Sequence, residues 1–428
     1  MLLDKTLTYV SLFSGAGVGC YGLLEDGFEC VATNEILEKR LNIQRINRKC
    51  KLDESYISGD IKKPETKEKI LKQIGFYSKK FGNDRVDLVI ATPPCQGMSV
   101  ANHKKKNDEI KRNSLVIESV DLIKQIKPRF FILENVPSFY KTGCIDKNDN
   151  LLEIGSMIEQ NLSGDYMLYD EVINFKNFGA NSSRTRTLVI GVCKEFKDFI
   201  SALEFFPDFK QEKTLKEVIG SLKPLTWGEY DSTDFYHSFR TYPKHMQEWI
   251  KDLKEGQSAF ENIQDAISDL AYLCSNEGAF ESDYLNPIQS SYQALMRKDS
   301  PKLYNHQATN HSQAALEKLK LINKEQGKEC LPKNLHGKQQ FKSTWGRLNW
   351  NKISPTIDTR FDTPSNGTNS HPELHRSITP REAARIQSFN DNYIFYGNKT
   401  SVCKQIGNAV PPLLALALGK AILKNLRK

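Results

Sequence analysis

The sequence predicts an α/β fold whose main sheet is parallel with an antiparallel hairpin at one edge, plus a smaller second domain. Short apolar runs bounded by polar segments, Gly or Pro alternate with helix-period segments, which is typical of a doubly wound parallel sheet. Residues 166–175 and 187–192 are joined by a connection too short for a helical crossover, so we expect them to pair antiparallel. From about Phe196 the periodicity weakens, which indicates the start of the second domain.

Length and composition narrow the class of protein. At 428 residues the chain exceeds one ordinary core. We expect no window near the ~20 apolar residues of a membrane span, and the N-terminus has no cleavable apolar core, so the sequence predicts a soluble, intracellular protein. The net charge of +8 suits a polyanionic partner, although a lysine-rich enzyme without one could carry it too.

The cysteines and histidines give no sign of a metal or of disulfides. Nine cysteines, an odd count with no C-x-x-C pair, predict reduced thiols rather than a disulfide framework or a structural zinc site. His371 and His375 are four residues apart, but Pro372 and the lack of a third ligand argue against a metal there. We therefore expect no metal.

The first three predicted strands each end in a group suited to a nucleoside. A strand over residues 8–13 opens onto the glycine turn at 14–19, where amide donors can face a ligand. Glu35 ends the second strand and can hold ribose hydroxyls, and Asp60 follows the third. The spacing is not G-x-G-x-x-G, and a tight turn with an exposed Glu explains the glycines alone equally well.

Cys95 follows a buried strand at the carboxyl edge, where ligands bind in open α/β sheets. The strand should stop at Ala91, because Pro93 and Pro94 lack amide donors and have a fixed φ. A lone cysteine is more often a small buried hydrophobe. The prolines and the Gln96-Gly97 turn favour a nucleophile on a stiff loop.

The segment after this loop, residues 101–113, has almost no apolar residue. Most such runs are simply solvated charge. A long loop beside a nucleophile is more often functional, so we expect a mobile flap that grips phosphates through three adjacent lysines, Lys104, Lys105 and Lys106.

An acid expected close to the strand tip that bears Cys95, and a pair of arginines, are two further candidate features. A helix over 115–127 leads to a buried strand at 130–133 that ends in Glu134, whose pKa burial would raise, so that it could hold or give a proton. Arg184 and Arg186, one residue apart on an extended chain, point the same way and can clamp a carbonyl or phosphates.

The rest of the chain gives weaker signals. Aromatic residues in 196–342 favour a core over base stacking, and no known DNA-binding module is evident. Thr379-Pro380-Arg381-Glu382 is a capping box that should start a helix running to about Phe389. A final apolar helix to about Leu423 follows the Gly407-Asn408 turn and is expected to fold back onto the first domain.

Taken together and in this order, eight phrases resemble the C5-cytosine DNA methyltransferase family. The resemblance covers roughly residues 8–193 and 345–420 and leaves the middle without a match, as expected for a target-recognition domain. It implies a Rossmann-like S-adenosylmethionine-dependent methyltransferase sheet and three parts: residues 1–195 catalytic and cofactor-binding, 196–342 target-recognition, and 343–428 returning to the catalytic domain. The phrases are FSGAGVG, NE (34–35), GDI (59–61), PPCQG, ENV, R-T-R, ITPREAARIQSF and QIGNAVPP.

The resemblance also implies the binding site for S-adenosylmethionine. Glu35 would hold the ribose of the cofactor, and Asp60 and Ile61 its adenine. The remaining pocket residues implied are Phe13, Gly15, Gly17, Pro93, Leu115 and Asn408.

For the reaction, the resemblance implies that a cytosine is flipped out of duplex DNA. The Cys95 thiolate would add to ring carbon 6, with Glu134 holding or protonating N3 and Arg186 on the ring carbonyl, beside Arg184. Carbon 5 would then attack the sulfonium methyl, and loss of its proton would expel the thiol. Gln96 and Ser99 would steady the loop and the DNA backbone.

Two positions depart from the usual pattern of the family. Ser182 stands where Gln is usual, two residues before the first arginine, which puts any contact of that Gln in doubt. The nucleophile loop begins Pro-Pro where some members have Phe-Pro, a mild change because the backbone carbonyl faces the base.

The function implied is methylation of a specific double-stranded DNA sequence in a bacterial restriction-modification system. The expected protein is a cytoplasmic, nucleoid-associated monomer whose cognate endonuclease recognises the same site. Three alternatives stay open: a tRNA cytosine methyltransferase, a non-catalytic DNA-binding regulator on the same scaffold, and a nicotinamide-dependent oxidoreductase suggested only by the glycine turn.

Overall fold

A computed structural model describes residues 6–94, 113–196, 212–225, 305–309, 311–323, 326–336 and 343–426. Its centre is a seven-stranded sheet in the order β3-β2-β1-β4-β5-β9-β8. The strands run β1 Thr8–Leu12, β2 Glu29–Glu35, β3 Tyr56–Ser58, β4 Leu88–Ala91, β5 Phe130–Asn135, β6 Gly143–Ile145, β7 Leu151–Glu153, β8 Tyr166–Asn174 and β9 Thr185–Cys193, with β6 and β7 forming a separate hairpin. Two short strands, β10 Gly346–Arg347 and β11 Thr368–Ser370, form a third sheet.

The predicted sheet topology is confirmed. Strands β1 to β5 are parallel to one another, whereas β9 runs antiparallel to both β5 and β8 and forms the hairpin with β8 at one edge. Strand β4 ends at Ala91 as expected, because two prolines follow it. Since β9 is antiparallel, its first residues lie at the same edge as the carboxyl ends of the parallel strands.

Helices cover both faces of the sheet. They are α1 Tyr21–Glu25, α2 Glu38–Ile46, α3 Pro64–Phe81, α4 Leu115–Ile126, α5 Ile154–Leu162, α6 Leu215–Ile219, α7 Gln313–Leu321, α8 Pro380–Ile386, α9 Lys399–Gly407 and α10 Pro412–Leu426. Strand β5 illustrates the layering, because its side chains alternate between faces. Phe130 packs in the core under α1 and α10, and Phe131 in the core under α3, α4 and α5.

One helix ends earlier than predicted, and some short elements were not predicted at all. Helix α8 has the predicted capping box between Thr379 and Glu382 but ends at Ile386, not near Phe389, because Ser388 adopts a left-handed φ of 68°. The β6–β7 hairpin and helix α5 were not predicted, since their short apolar runs give no clear period.

The stretch Lys399–Leu426 corrects the expectation about membrane spans. By length and composition alone it could cross a membrane, so a sufficiently apolar window does exist. In the structure it is two helices, α9 and α10, separated by residues 408–411, and 72% of the window is buried within the protein. Its apolarity is explained by packing, since Leu414 and Leu418 lie in the core on one face of the sheet.

A third core joins the C-terminal part to the remainder of the described chain. Ile219 of α6, Ala383 of α8 and Val402 of α9 pack together in it. All cysteines that the structure describes are free thiols, as predicted, and five of them are buried: Cys20, Cys30, Cys50, Cys144 and Cys403.

Candidate active site

The glycine turn after β1 lies against the tip of β2. The Gly15 N–H donates to Glu35 Oε2 at 2.9 Å, and the Ser14 N–H donates to the Asn34 carbonyl at 3.0 Å. Gly15 has a φ of 54°, and a Cβ at this position would meet no atom within 4 Å, so open space adjoins the turn. Gly17 has a φ of 83°, and a Cβ there would come 2.6 Å from Cγ of Gln44, so only glycine fits.

Phe13, the residue between β1 and the turn, has a left-handed φ of 53°. For a residue with a Cβ this conformation costs roughly 1–2 kcal/mol, so neighbouring contacts must stabilise it. The Phe13 carbonyl accepts a hydrogen bond from the Thr92 hydroxyl at 3.1 Å. The two chain segments that leave β1 and β4 are thereby linked.

The two predicted acidic groups differ in their surroundings. Glu35 is buried, and its other oxygen, Oε1, accepts from the Leu37 N–H at 3.2 Å and lies 3.3 Å from Arg40 Nη1. Asp60 is partly exposed and accepts from the Lys62 N–H at 3.0 Å. Its neighbour Ile61 is buried. The three tips therefore lie on neighbouring strands along one edge, as expected.

Pro93, at the root of the nucleophile loop, is buried, and its carbonyl accepts a hydrogen bond from Asn135 Nδ2 at 2.9 Å. Asn135 is the last residue of β5, directly after Glu134. The loop root is therefore attached to the strand that carries the predicted acid. Cys95, Gln96, Ser99, Lys104, Lys105 and Lys106 lie outside the described residues.

Glu134 is 7% exposed and is the second-last residue of β5. Its Oε1 is 3.4 Å from Arg186 Nε but has no hydrogen-bond partner among the described residues. Burial raises the pKa of Glu134 above its usual range, although the nearby guanidiniums of Arg186 and Arg184 oppose the rise. A raised pKa favours the protonated form and is suited to a carboxyl group that holds or gives a proton.

The two predicted arginines have different partners. Arg186 lies at the start of β9 and donates from Nη1 to the Thr185 carbonyl at 2.7 Å. Arg184 is buried and donates from Nη1 to the Gly407 carbonyl at 3.1 Å, at the end of α9. Arg184 thus connects this edge to the turn that carries Asn408, which is exposed.

Two more residues named from the resemblance, Leu115 and Ser182, make few specific contacts with the described residues. Leu115 is half-buried at the first turn of α4. Ser182 is buried, forms a β-bridge with Ser354, and its hydroxyl has no hydrogen-bond partner among the described residues. Within the described part of the chain, the Ser182 hydroxyl therefore makes no hydrogen bond that could replace one made by a Gln.

Sequence reasoning missed four residues that shape this edge. Gln44 donates from Nε2 to Ser14 Oγ and to the Gly15 carbonyl, both at 2.7 Å, and Tyr393 donates to the Ala16 carbonyl at 2.7 Å. Thr92 and Asn135 hold the loop root. Asn135 belongs to the E-N-V phrase and could have been singled out, whereas the others lie in helices or turns where no local pattern marks them.

This edge of the sheet brings together the open glycine turn, the acid Glu134 with its raised pKa, and the arginine pair Arg184 and Arg186. No group of three His, Cys, Asp or Glu side chains that could hold a metal occurs in the described part of the chain. The arrangement is suited to binding a nucleoside beside a planar ring. The acid can hold a proton at such a ring, and an arginine can donate hydrogen bonds to its carbonyl oxygen.

Comparison with known proteins agrees with this arrangement. The family model for C-5 cytosine-specific DNA methylase matches residues 7–424. The type II methyltransferase M.DdeI of Desulfomicrobium norvegicum is 30% identical over 357 residues, covering 79% of this chain and 72% of that protein. The type II methyltransferase M1.HphI of Haemophilus parahaemolyticus is 26% identical over 425 residues, 99% of this chain and 88% of that protein.

A solved structure shows the same fold. It is the crystal structure of a protein assigned as a DNA modification methyltransferase encoded within an E. coli prophage. It aligns with a TM-score of 0.63 and 24% identity, covering 99% of this chain and 100% of that one.

The match extends over the sheet, the glycine turn, the Glu134 strand and the C-terminal helices, which confirms the family indicated by the sequence motifs. The chain therefore belongs to the C-5 cytosine-specific DNA methylase family and is a DNA (cytosine-5-)-methyltransferase.

Proposed function

We propose that this enzyme transfers the methyl group of S-adenosylmethionine to carbon 5 of a cytosine flipped out of a specific double-stranded DNA sequence. The observation that carries the proposal is the placement of Glu134. It is buried, is 3.4 Å from Arg186, and adjoins Asn135, which binds the root of the Pro-Pro-Cys loop. Glu134, Arg186 and the root of the loop therefore lie at the same edge of the sheet as the glycine turn.

The residues at this edge fit S-adenosylmethionine. The open space beside Gly15 can admit the backbone of a ligand, and the partly exposed carboxylate of Asp60 can accept from an exocyclic amine. Glu35 already accepts from Gly15 and retains lone pairs for ribose hydroxyls. The other residues proposed to line the pocket are Phe13, Gly17, Ile61, Pro93, Leu115 and Asn408. When bound there, S-adenosylmethionine supplies the methyl group.

The side chains of the protein act on the cytosine. The Cys95 thiolate adds to ring carbon 6, forming a C–S bond, and the ring electron pair moves toward carbon 5 and N3. Glu134, whose pKa burial raises, holds a proton at N3, and Arg186 binds the ring carbonyl oxygen with Arg184 beside it. After carbon 5 has been methylated, loss of its proton expels the thiolate, which is ready for another cycle.

DNA recognition is assigned to the loop that follows Cys95, which lies outside the described residues, and to the middle of the chain, which the structure describes in part. Gln96 and Ser99 steady the loop on the DNA backbone, and Lys104, Lys105 and Lys106 contact phosphates. Residues 196–342 form the target-recognition domain, between the catalytic part at 1–195 and the returning segment at 343–428. Extrusion of the base costs a few kcal/mol, which these contacts offset.

The proposed setting is a bacterial restriction-modification system. The relatives named above are type II methyltransferases, which supports a role in protecting host DNA from an endonuclease that recognises the same sequence. We propose a cytoplasmic monomer, associated with the nucleoid through DNA, that needs no physical contact with that endonuclease.

Bisulfite sequencing of DNA from cells that express the chain tests the activity and identifies the target sequence together. We expect 5-methylcytosine in one sequence context, and its loss in the Cys95→Ser variant with DNA binding retained. DNA carrying 5-fluorocytosine at the target should trap a covalent complex, because fluorine cannot leave as a proton does. Unmethylated DNA, or methylation that survives Cys95→Ser, would refute the proposal.

A further inference from the structure

The root of the nucleophile loop has few groups by which the protein can hold it. The parallel ladder of β4 ends at Ala91, and the Thr92 N–H makes the last backbone bond toward β1, to the Leu12 carbonyl at 3.4 Å. Pro93 and Pro94 follow and have no N–H. Fixing this root therefore depends on the Thr92 hydroxyl and the Pro93 carbonyl.

Thr92 attaches the root to the cofactor side of the edge. Its hydroxyl donates to the Phe13 carbonyl at 3.1 Å, and Phe13 has the left-handed φ of 53° that turns the chain into the glycine turn. Thr92 is half-buried, so this bond is partly protected from water. The bond holds the β4 exit against the β1 exit.

Asn135 attaches the root to the acid side of the edge. Its Nδ2 donates to the Pro93 carbonyl at 2.9 Å, and its Oδ1 accepts from the Val136 N–H at 2.9 Å. The two partners fix the orientation of the amide, because a carbonyl can only accept and an N–H can only donate. Asn135 is 3% exposed, and it follows Glu134 on β5.

We propose that Thr92 and Asn135 are positioning residues, which hold the loop root between the cofactor side and the acid side and so set where Cys95 meets the cytosine. The inference rests on the proposed function, in which Cys95 adds to carbon 6. Thr92 controls the alignment of the loop with the methyl donor. Asn135 controls its alignment with Glu134 and therefore the addition step.

The two steps can be measured separately. Without a methyl donor, thiolate addition to carbon 6 leaves carbon 5 free to take a solvent proton, and reversal of the addition releases the original hydrogen. Tritium release from carbon 5 of cytosine in target DNA then reports addition and proton exchange at carbon 5 without methyl transfer. Methyl transfer is followed in a parallel assay, and calorimetry with S-adenosylhomocysteine measures pocket integrity.

For Thr92 the informative variant is Thr92→Val, which keeps the shape and removes the hydroxyl. We expect kcat for methyl transfer to fall about tenfold or more, with tritium release and S-adenosylhomocysteine affinity within about twofold of the wild type. Thr92→Ser keeps the hydroxyl and should restore kcat. Thr8→Val, which removes a hydroxyl bonded to Asp87 at the opposite end of β1, is the matched control and should leave kcat unchanged.

If Thr92→Val lowers methyl transfer no more than Thr8→Val, or if Thr92→Ser is as impaired as Thr92→Val, the role of Thr92 is overturned. Thermal melting of each variant separates loss of folding from loss of rate, because kcat is expressed per folded molecule.

For Asn135 two variants are compared. Asn135→Asp keeps an acceptor for Val136 and loses the donor to Pro93, whereas Asn135→Leu loses both bonds without adding charge. Both should slow tritium release about tenfold or more, with unchanged affinity for S-adenosylhomocysteine. Normal tritium release in Asn135→Asp alone would show that only the Val136 contact matters and would overturn the role of the Pro93 bond.

Failure of the proposed function gives a different result. If wild-type enzyme releases no tritium, or if Cys95→Ala still releases it, addition by Cys95 is wrong whatever the variants do. If the wild type releases tritium, Cys95→Ala does not, and all Thr92 and Asn135 variants behave as the wild type, then only the positioning inference fails.

Discussion

Among the residues that the structure describes, the pairs Arg376–Glu382 and Arg186–Glu134 both have a buried carboxyl group but differ in their geometry and in the pKa of the acid. Arg376 and Glu382 form a two-pronged ion pair, with Nη1 to Oε2 at 2.7 Å and Nη2 to Oε1 at 2.8 Å. Glu382 also accepts from the Thr379 N–H at 2.7 Å, as part of the cap of α8. Glu134 has a single contact with Arg186 at 3.4 Å and an Oε1 that lacks a hydrogen-bond partner among the described residues.

The pKa values of the two acids shift in opposite directions. Burial would raise the pKa of Glu382, but the charge and hydrogen bonds of Arg376, together with His371 and His306, lower it to about 2. For Glu134 burial dominates over Arg186 and Arg184, so its pKa rises. The same residue types therefore lower the pKa of one buried carboxyl group and leave the pKa of the other raised.

The difference shows that the number and geometry of partners, more than burial, distinguish the structural acid Glu382 from Glu134, the acid proposed to be catalytic. Both carboxylate oxygens of Glu382 accept hydrogen bonds, and they hold Arg376 at the start of α8. Arg376 also donates to the Leu225 carbonyl at 2.5 Å. Glu134 keeps acceptor capacity for a substrate. A partly satisfied acid in a buried place is costly, and it persists at functional sites.

Replacing Glu134 by Gln should give the largest effect on activity. The change keeps the volume but removes the proton that supports addition, so we expect kcat to fall roughly 10²- to 10⁴-fold. The melting temperature should stay the same or rise, because a costly buried acid has been removed. Methyl-transfer kinetics and thermal melting check both outcomes, and a kcat within tenfold of the wild type would contradict the assignment.

Replacing Glu382 by Gln should have the opposite profile. It leaves the fully buried guanidinium of Arg376 without its carboxylate, and breaking such a pair costs about 3–5 kcal/mol in the free energy of unfolding. Urea denaturation measures this loss. The kcat per folded molecule should remain normal, and a variant that is stable but inactive would show that the pair takes part in the reaction.

Arg186→Lys should produce an intermediate effect on activity. It keeps the charge beside Glu134 but loses the planar fork that can bind a carbonyl, so we expect kcat/KM to fall about tenfold. The free energy of unfolding should change by less than about 1.5 kcal/mol, because lysine keeps the positive charge beside Glu134 and the original guanidinium makes only one long contact with it. Steady-state kinetics and urea denaturation test this pair of expectations.

The pH dependence of stability should show the smallest effect, with opposite signs for the two acids. Glu134 has a raised pKa, so the folded state binds more protons than the unfolded state, and its unfavourable contribution grows as pH rises from about 4.3 through the folded pKa. Glu382 has a depressed pKa, so its stabilisation is present above about 4.3 and is lost as pH falls toward the folded value of about 2.

Urea denaturation at several pH values checks these signs. Relative to the wild type, Glu134→Gln should gain stability as pH rises, whereas the deficit of Glu382→Gln should shrink in acid. If the difference in unfolding free energy from the wild type changed with pH in the same way for both variants, the two acids would not differ as described.

Much of the fold was predictable from the sequence because its signals are local. Apolar runs, prolines and glycine turns predicted the strands of the main sheet, and the short connection after residue 175 predicted the hairpin of β8 and β9. The capping box at Thr379 predicted the start of α8, but its end depended on the backbone of Ser388. The final apolar helix, α10, packs on the first domain as predicted, but the expectation that no stretch is apolar enough to span a membrane was wrong for Lys399–Leu426.

The candidate site was predicted only in part. The placement of Glu35, Asp60 and Glu134 at the carboxyl ends of parallel strands was predicted, whereas the arrival of the arginine pair at that edge follows from the observed pairing of β9 with β5. The contacts of Thr92, Gln44 and Tyr393 were not predictable, because each joins residues far apart in the chain or lies on an unremarkable helix or turn.

The sequence by itself determined the strand succession, the turn chemistry and the family, since these depend on short-range residue patterns and their order. Only the tertiary structure decided which acid is fully paired and which is left with acceptor capacity. Partner count, distance and burial arise from the approach of segments such as β5 and β9, and no local pattern encodes them.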